Sequence, residues 1–151
     1  MLSAVERGTK SPTIALLAGI AEGLDLPLSV LIDGGSTTPL EAQVICASDQ
    51  HTISDSSGIK RTSLSGSYDR STVEFVRYTL PAQTASGTFA AHRPGTLERI
   101  HLARGKVDIR FGDQRVTLRE GDTLFYEASV PHGFANTTNK IAELYLVIER
   151  R

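Results

Sequence analysis

Between Lys106 and Arg119 the chain has one obvious solution. Lys106-Val107-Asp108-Ile109-Arg110-Phe111 alternates, Gly112-Asp113 supplies a two-residue turn, and Arg115-Val116-Thr117-Leu118-Arg119 alternates again, which is the signature of a β-hairpin. Short strands of the same kind extend on both sides. Val44-Ile45-Cys46-Ala47 is expected as a first strand, Asp55-Ser56-Ser57-Gly58 as a turn, Ile59 to Leu64 as a strand, and Ser65-Gly66-Ser67 as a loop. Ser71 and Thr72 open a longer strand, Val73 to Leu80. Its alternation puts Val73, Phe75 and Arg77 on one face and Glu74, Val76, Tyr78 and Leu80 on the other. Gly, Pro and Ser punctuate short strands as far as Ile148, the pattern of an all-β sandwich or small barrel.

The first 33 residues differ. Ser11 is placed to cap a helix with Pro12 at its first position, and Ile14, Leu17, Ile20, Ala21 and Leu24 recur at helical spacing. Gly23 and Asp25 end that helix. Pro27 starts a shorter one with Leu28 and Leu31 on one face, stopped by Asp33-Gly34-Gly35. Helices this short need each other, a preceding segment or a partner chain to bury their apolar faces. Gly34-Gly35-Ser36-Thr37-Thr38-Pro39 has linker composition. The expected division is therefore 1–33 helical, 34–39 linker and 40–151 β domain.

Candidate chemistry flanks the hairpin. Alternation puts Glu98, Ile100 and Leu102 on one face of a strand, with Leu97, Arg99 and His101 on the other. A carboxylate facing the interior needs a cation or hydrogen-bond donors, and His92 and His132 are placed to provide them. Two imidazoles and a carboxylate suit a divalent ion such as Fe, Zn, Mn or Ni. The alternative is a metal-free cluster in which Glu98 pairs with a protonated histidine, helped by Arg93 or Arg99. His101 is expected on the outer surface and His51 in a solvated loop. Tyr78, Phe125, Tyr126 and Phe134 are expected to line the core and pocket, and Ile100 joins His92, Glu98, His132 and Tyr126 as the expected ligand pocket.

Those same residues carry a family resemblance. His92, Glu98 and Gly105, with Gly87 one position from a leading glycine, and then Gly121, His132 and Asn136, stand at the offsets of the two motifs of the cupin superfamily. Pro94 stands where that pattern has a second histidine, Glu127 where it has a proline, and Ser129 where it has a glycine. The resemblance covers roughly the last two thirds of the chain. It implies a mainly β double-stranded β-helix, a small jelly-roll barrel, with His92, Glu98 and His132 as the expected metal ligands. The N-terminal stretch resembles the end of the recognition helix of Cro-type (XRE family) helix-turn-helix regulators, through Leu2, Ser3, Val5, Glu6, Gly8 and Pro12. Ile14 to Ile32 resembles that family's last two helices. The resemblance implies an incomplete DNA-binding head, in which Ser3, Arg7 and Lys10 are the partial DNA contacts.

Charge and composition narrow the choice. Residues 1–33 carry Arg7 and Lys10 against Glu6, Glu22, Asp25 and Asp33, a net of −2, and the whole chain is −1. Phosphate neutralisation by Lys and Arg drives much of DNA affinity, so a helical packing or dimerisation arm is the competing reading of the head. The only cysteine, Cys46, cannot form an internal disulfide and is expected as a small buried strand residue in a reducing, cytoplasmic compartment. Ile14 to Ile32 is broken by Glu22, Asp25 and Pro27 and is not expected to span a bilayer. Two functions follow. One is a transcriptional regulator whose cupin domain binds a small effector and modulates the head. It is expected to form a homodimer, because Leu17, Leu24, Leu28 and Leu31 would otherwise stay exposed. The other is a free-standing, metal-dependent cupin enzyme, a dioxygenase or isomerase. The regulator is preferred.

Overall fold

The computed structural model describes Arg7 and residues 12–34, 44–65 and 72–150. Among these residues ten strands build two antiparallel sheets. In chain order they are β1 (Thr52–Ser54), β2 (Lys60–Ser63), β3 (Val73–Leu80), β4 (Thr84–Ala85), β5 (Leu97–Arg104), β6 (Lys106–Phe111), β7 (Gln114–Arg119), β8 (Thr123–Glu127), β9 (His132–Asn136) and β10 (Ala142–Glu149). The larger sheet runs β1-β2-β3-β10-β5-β8 and the smaller β4-β9-β6-β7. The hairpin pairs Phe111 with Gln114 across the turn, which Gly112 closes with φ 56°, a region that favours glycine. The alternation expected of β3 and β5 is seen: Val76, Tyr78, Leu80, Ile100 and Leu102 are buried and meet Ala142, Leu144 and Leu146 of β10 in register.

In the smaller sheet, where the segment after β4 runs along β9, one contact is very tight. A Cβ at Gly133 would lie 2.4 Å from the Gly87 carbonyl oxygen. Gly133→Ala is therefore expected to cost about 1–3 kcal/mol, the range for overpacking, read as a lowered urea midpoint with an unchanged m-value.

Two expectations about the first strand fail. Residues 44–46 form no strand and lead into a 3-10 turn, Ala47–Asp49, closed by the Asp49 amide on the Cys46 carbonyl (2.9 Å). Val44 is 86% exposed and Cys46 is exposed as well, with no strand among the described residues paired to this stretch. The strand that does form, β1, falls in the polar stretch after it, where Thr52 and Thr62 share a hydroxyl hydrogen bond (2.8 Å) across to β2. The turn at Asp55 is as expected: its carboxylate accepts from the Ser57 amide (2.9 Å), and Gly58 takes φ 81°.

Helix α1 (Ile14–Gly23) is capped by Thr13, whose hydroxyl accepts from the Leu16 amide. Ser11, the expected cap, lies outside the described residues, as do Ser3, Lys10 and, apart from Gly34, the expected linker. Asp25, with φ 59°, reverses the chain, and α2 (Leu28–Asp33) ends at a left-handed Gly34. The head's apolar face does not wait for a partner chain. Ile14, Ala21, Leu28 and Val30 are buried, Leu17 and Leu31 pack against the β core, and only Leu24 of the four expected leucines is largely exposed (57%). The helices have docked on their own barrel.

That docking is polar as well as apolar. Glu74, facing inward among the apolar residues of β3, is 1% exposed. Its carboxylate accepts from Arg61 of β2 (2.5 Å), Arg150 after β10 (2.7 Å) and the Leu28 amide at the start of α2 (3.2 Å). Burial works against its charge, but the two guanidinium groups outweigh burial and lower its pKa.

Candidate functional site

Three separate elements bring the site together. His92 lies in the loop before β5, fixed by its amide on the Ala128 carbonyl (2.9 Å). Pro94 and Gly95 then turn the chain into β5, and the Gly95 amide donates to the Glu127 carboxylate (3.0 Å). Glu127, standing where the cupin motif has a proline, thus secures this turn. Glu98 points inward from β5 opposite Tyr126 of β8, and His132 opens β9. One ligand atom from each of His92, Glu98 and His132 lies within 4.8 Å of the others.

The proton positions follow from the outer partners. His132 Nδ1 faces the Val130 carbonyl at 2.9 Å, and a carbonyl only accepts, so Nδ1 carries hydrogen. His92 Nδ1 faces a carboxylate oxygen of Glu22 at 2.8 Å and carries hydrogen for the same reason. Both Nε2 atoms then turn to the same oxygen of Glu98, at 3.2 Å from His92 and 3.4 Å from His132. The other Glu98 oxygen accepts from the Tyr126 hydroxyl. With neutral imidazoles, three lone pairs converge on one point. Only added protons on Nε2 or a divalent cation relieve that repulsion.

Charges in the site are strongly coupled. Burial opposes ionisation of Glu98, but the hydrogen bonds and charge of His132 and His92 hold its pKa down at about 2. For His92, burial disfavours the charged form and is outweighed by Glu98 and Glu22, so its pKa rises. Burial first, and Glu98 second, push the Tyr126 phenol upward. A carboxyl whose folded pKa lies below its unfolded value stabilises the fold at higher pH. The contribution of Glu98 is therefore fully present above about 4.5 and lost as pH falls towards about 2. Acid unfolding of Glu98→Gln should be shallower than that of the parent over this window, when followed by far-ultraviolet circular dichroism.

Above the site lies the head. Glu22 of α1 accepts from the His92 ring and, through its other oxygen, from the Arg93 amide (2.9 Å). Arg93 also pairs with Asp25 (2.6 Å). Ala18, Ala21 and Leu28 roof a cavity floored by Phe89, Phe134, Leu146 and Ile148. Only ≈ 20 Å³ of it remains open, room for about one water.

Arg93 and Arg99, expected as possible partners of Glu98, are engaged elsewhere. Arg93 holds Asp25, while Arg99 holds Glu149 at 2.8 Å and lies over the Phe125 ring at 5.0 Å. Phe125, expected inside, is 57% exposed, because β8 alternation gives the inward position to Tyr126. Ile100 is fully buried beneath Glu98 but does not line the cavity. His101 is exposed beside Thr123, His51 is exposed, and Arg7 is exposed. Asn136 is a structural anchor. Its amide donates to the Leu80, Pro81 and Lys140 carbonyls at 3.1, 2.9 and 2.7 Å. The sequence reading missed Glu22, Arg61, Glu74 and Arg150. Glu74 had a signal, a carboxylate on the apolar face of a strand, whereas Glu22 meets His92 only through tertiary docking.

Comparison with known proteins agrees with this architecture. Residues 76–148 match the family model of the cupin domain. The fold is similar to an HTH_3 family transcriptional regulator from Vibrio cholerae, at 24% identity and TM-score 0.75, covering all of this chain (100%) and 79% of that one. It is also similar to the cupin domain of an XRE family transcriptional regulator from Enterobacter cloacae, at 13% identity and TM-score 0.57, over 62% of this chain and 97% of that one. A predicted oxalate decarboxylase from Thermotoga maritima shares the fold at 21% identity and TM-score 0.54, over 72% of this chain and 100% of that one. At these identities the likeness is one of fold. No curated protein matches the sequence.

Proposed function

We propose that the chain is the sensor part of a transcriptional regulator, a cupin barrel that binds a small effector and passes its occupancy to a helix-turn-helix head. The observation that carries this reading is the roof: α1 and α2 close the pocket and are tied to its own residues, Glu22 to His92 and Leu28 to Glu74. An enzyme pocket must admit substrate at every turnover. Here the lining helices leave ≈ 20 Å³, so any larger ligand has to displace the segment that resembles the end of a DNA-reading domain. The regulator likeness to the Vibrio cholerae and Enterobacter cloacae proteins supports the same reading.

Domain limits of 1–33 for the head, 34–39 for the linker and 40–151 for the barrel belong to this proposal. So does a cytoplasmic location; no helix among the described residues is long and apolar enough to cross a membrane. A divalent ion fits the pocket, since each of its three ligands has an outer partner: Glu22 for His92, Val130 for His132 and Tyr126 for Glu98. Zn, Fe, Mn or Ni would supply a Lewis-acidic point with open positions for an effector donor. The free-standing enzyme would need the same ion.

The test is a titration against the DNA upstream of its own gene and against scrambled DNA, at matched salt. A chain carrying a complete helix-turn-helix head should prefer the former. The chain as given should bind weakly and without preference, because Arg7, Ser3 and Lys10 offer phosphate contacts that carry little sequence information. Equal binding of both DNAs by the complete head would remove the regulator reading.

A homodimer is also proposed, on a different surface from the one the sequence suggested. Phe75, Val147, Arg99 and Phe125 stand side by side across β3, β10, β5 and β8 on the outer face of the larger sheet. Phe75 is 38% and Phe125 57% exposed, with the Tyr145 ring tilted against Phe75 at 5.9 Å between centroids. A second copy covering this row explains aromatic rings left at the surface. Phe125→Glu should raise the dimer dissociation constant by about tenfold or more in sedimentation equilibrium, an interface aromatic costing roughly 1–2 kcal/mol or above. An unchanged constant would place the interface elsewhere.

A further inference from the structure

The pocket has a second polar end that the metal-type cluster does not use. Arg61 and Arg150 both line the cavity, and both face a single carboxylate, Glu74. Arg61 is 2% exposed, so two guanidinium charges meet one negative charge at a buried wall. Tyr78, also lining the cavity, hydrogen-bonds Arg61 without adding charge. The imbalance has a direct mark. Arg150 Nη1 is buried and has no hydrogen-bond partner among the described residues. A buried charged donor without an acceptor is costly. Between the Arg end and the histidine end the wall is apolar, formed by Phe89, Phe134, Leu146 and Ile148.

We infer that the pocket takes a small carboxylic acid with an apolar body, its carboxylate accepting from Arg150 and Arg61, and that this acid group is what releases the head. The inference rests on the reading of the barrel as a small-molecule sensor and deepens it. A guanidinium fork with a free N–H matches a planar carboxylate, and the apolar wall suits the rest of such a molecule. Coupling follows from shared partners. The Glu74 oxygen that Arg150 holds also accepts from the Leu28 amide of α2, and a body of several atoms cannot fit in ≈ 20 Å³ while Ala18, Ala21 and Leu28 stay in place. Glu74, which both arginines already hold, is the resident anion with which an incoming acid must share them.

Propionate, propionamide and inorganic phosphate are the probes, titrated into the intact chain without DNA and followed by NMR at the Arg side-chain Nε–H groups. Propionate should bind saturably in the millimolar range, as expected for so few atoms, and propionamide should not. Arg150→Gln should weaken propionate by about tenfold or more, while Arg150→Lys, which keeps the charge, should retain part of the binding. Glu22→Gln should strengthen it by several-fold, because the roof that Glu22 ties to His92 is looser. Equal binding of propionate and propionamide, no saturation in Glu22→Gln, or insensitivity to Arg150→Gln would overturn the inference. Phosphate binding without propionate binding would overturn the carboxylate assignment. Such failures leave the regulator reading standing, since that is decided by DNA preference.

Discussion

If the pocket holds the proposed divalent ion, His132→Ala is expected to weaken its binding by more than about 100-fold, beyond the 10–100-fold that removal of an outer partner costs. His132 is 1% exposed, its Nδ1–H is committed to the Val130 carbonyl, and its Nε2 has no direction to face but Glu98. Without it, two ligands remain, too few to hold an ion in place. Glu98→Gln should have a comparable effect, because it removes the only charged ligand. Tyr126→Phe should fall in the milder range, because it frees the Glu98 oxygen that the hydroxyl holds. Titration calorimetry with Zn²⁺ and Mn²⁺ at fixed pH provides the readout. Affinity should also fall as pH falls, protons competing for the same Nε2 atoms. Metal content unchanged in His132→Ala would move the site elsewhere in the chain.

Glu22→Lys lifts the head from the barrel. The carboxylate holds two donors, the His92 ring and the Arg93 amide, and hydrogen bonds to charged groups each contribute about 1.5–3 kcal/mol when well formed. Glu22 is only partly buried, with 19% of its side chain exposed, so a total of about 2–3 kcal/mol is the reasonable expectation after solvent screening. Burial raises the Glu22 pKa, while the hydrogen bonds from His92 and Arg93 and the charges of His92 and Arg150 lower it further, for a net lowering. A lysine there replaces attraction by repulsion towards Arg150 and a protonated His92. Hydrogen exchange of the α1 amides should accelerate by more than about tenfold, while β5 and β10 keep their protection. Unaltered α1 exchange would mean that apolar packing of Ile14, Ala21 and Leu28 holds the head without its polar latch.

Much of the barrel was legible because it is local. The Lys106 to Arg119 hairpin, the alternation of Val73 to Leu80 and the inward Glu98 all follow from a period of two, and the structure has them in that form. The same rule, followed strictly, separates Tyr126 from Phe125, which the sequence reading had grouped together. Val44 to Ala47 misled for the opposite reason. Its apolar residues have strand propensity, but a strand needs a neighbour, and among the described residues none pairs with it. The three-residue cluster was legible through motif spacing, and the structure brings His92, Glu98 and His132 together. Its connection to the head was not legible. Glu22 and His92 are separated by 70 residues, and nothing local in Ala21-Glu22-Gly23 distinguishes a latch from a solvated helix surface. The fate of the leucine faces was misjudged likewise, since a helix pattern states that a face must be buried without saying against what.

The claim at the centre of this account is that the head and the pocket form one coupled device. Its most direct test is the DNA affinity of a chain with a complete head, wild type against Glu22→Gln, with α1 hydrogen exchange measured on the same samples. Operator and scrambled DNA are compared at matched salt, so that a simple charge effect, which moves both alike, cancels in their ratio. Coupling predicts that the ratio shifts by about fivefold or more, the usual lower range of an allosteric coupling, in step with lost α1 protection. A ratio unchanged while α1 protection is lost would show that docking of the head on the barrel is structural only, and would contradict the account.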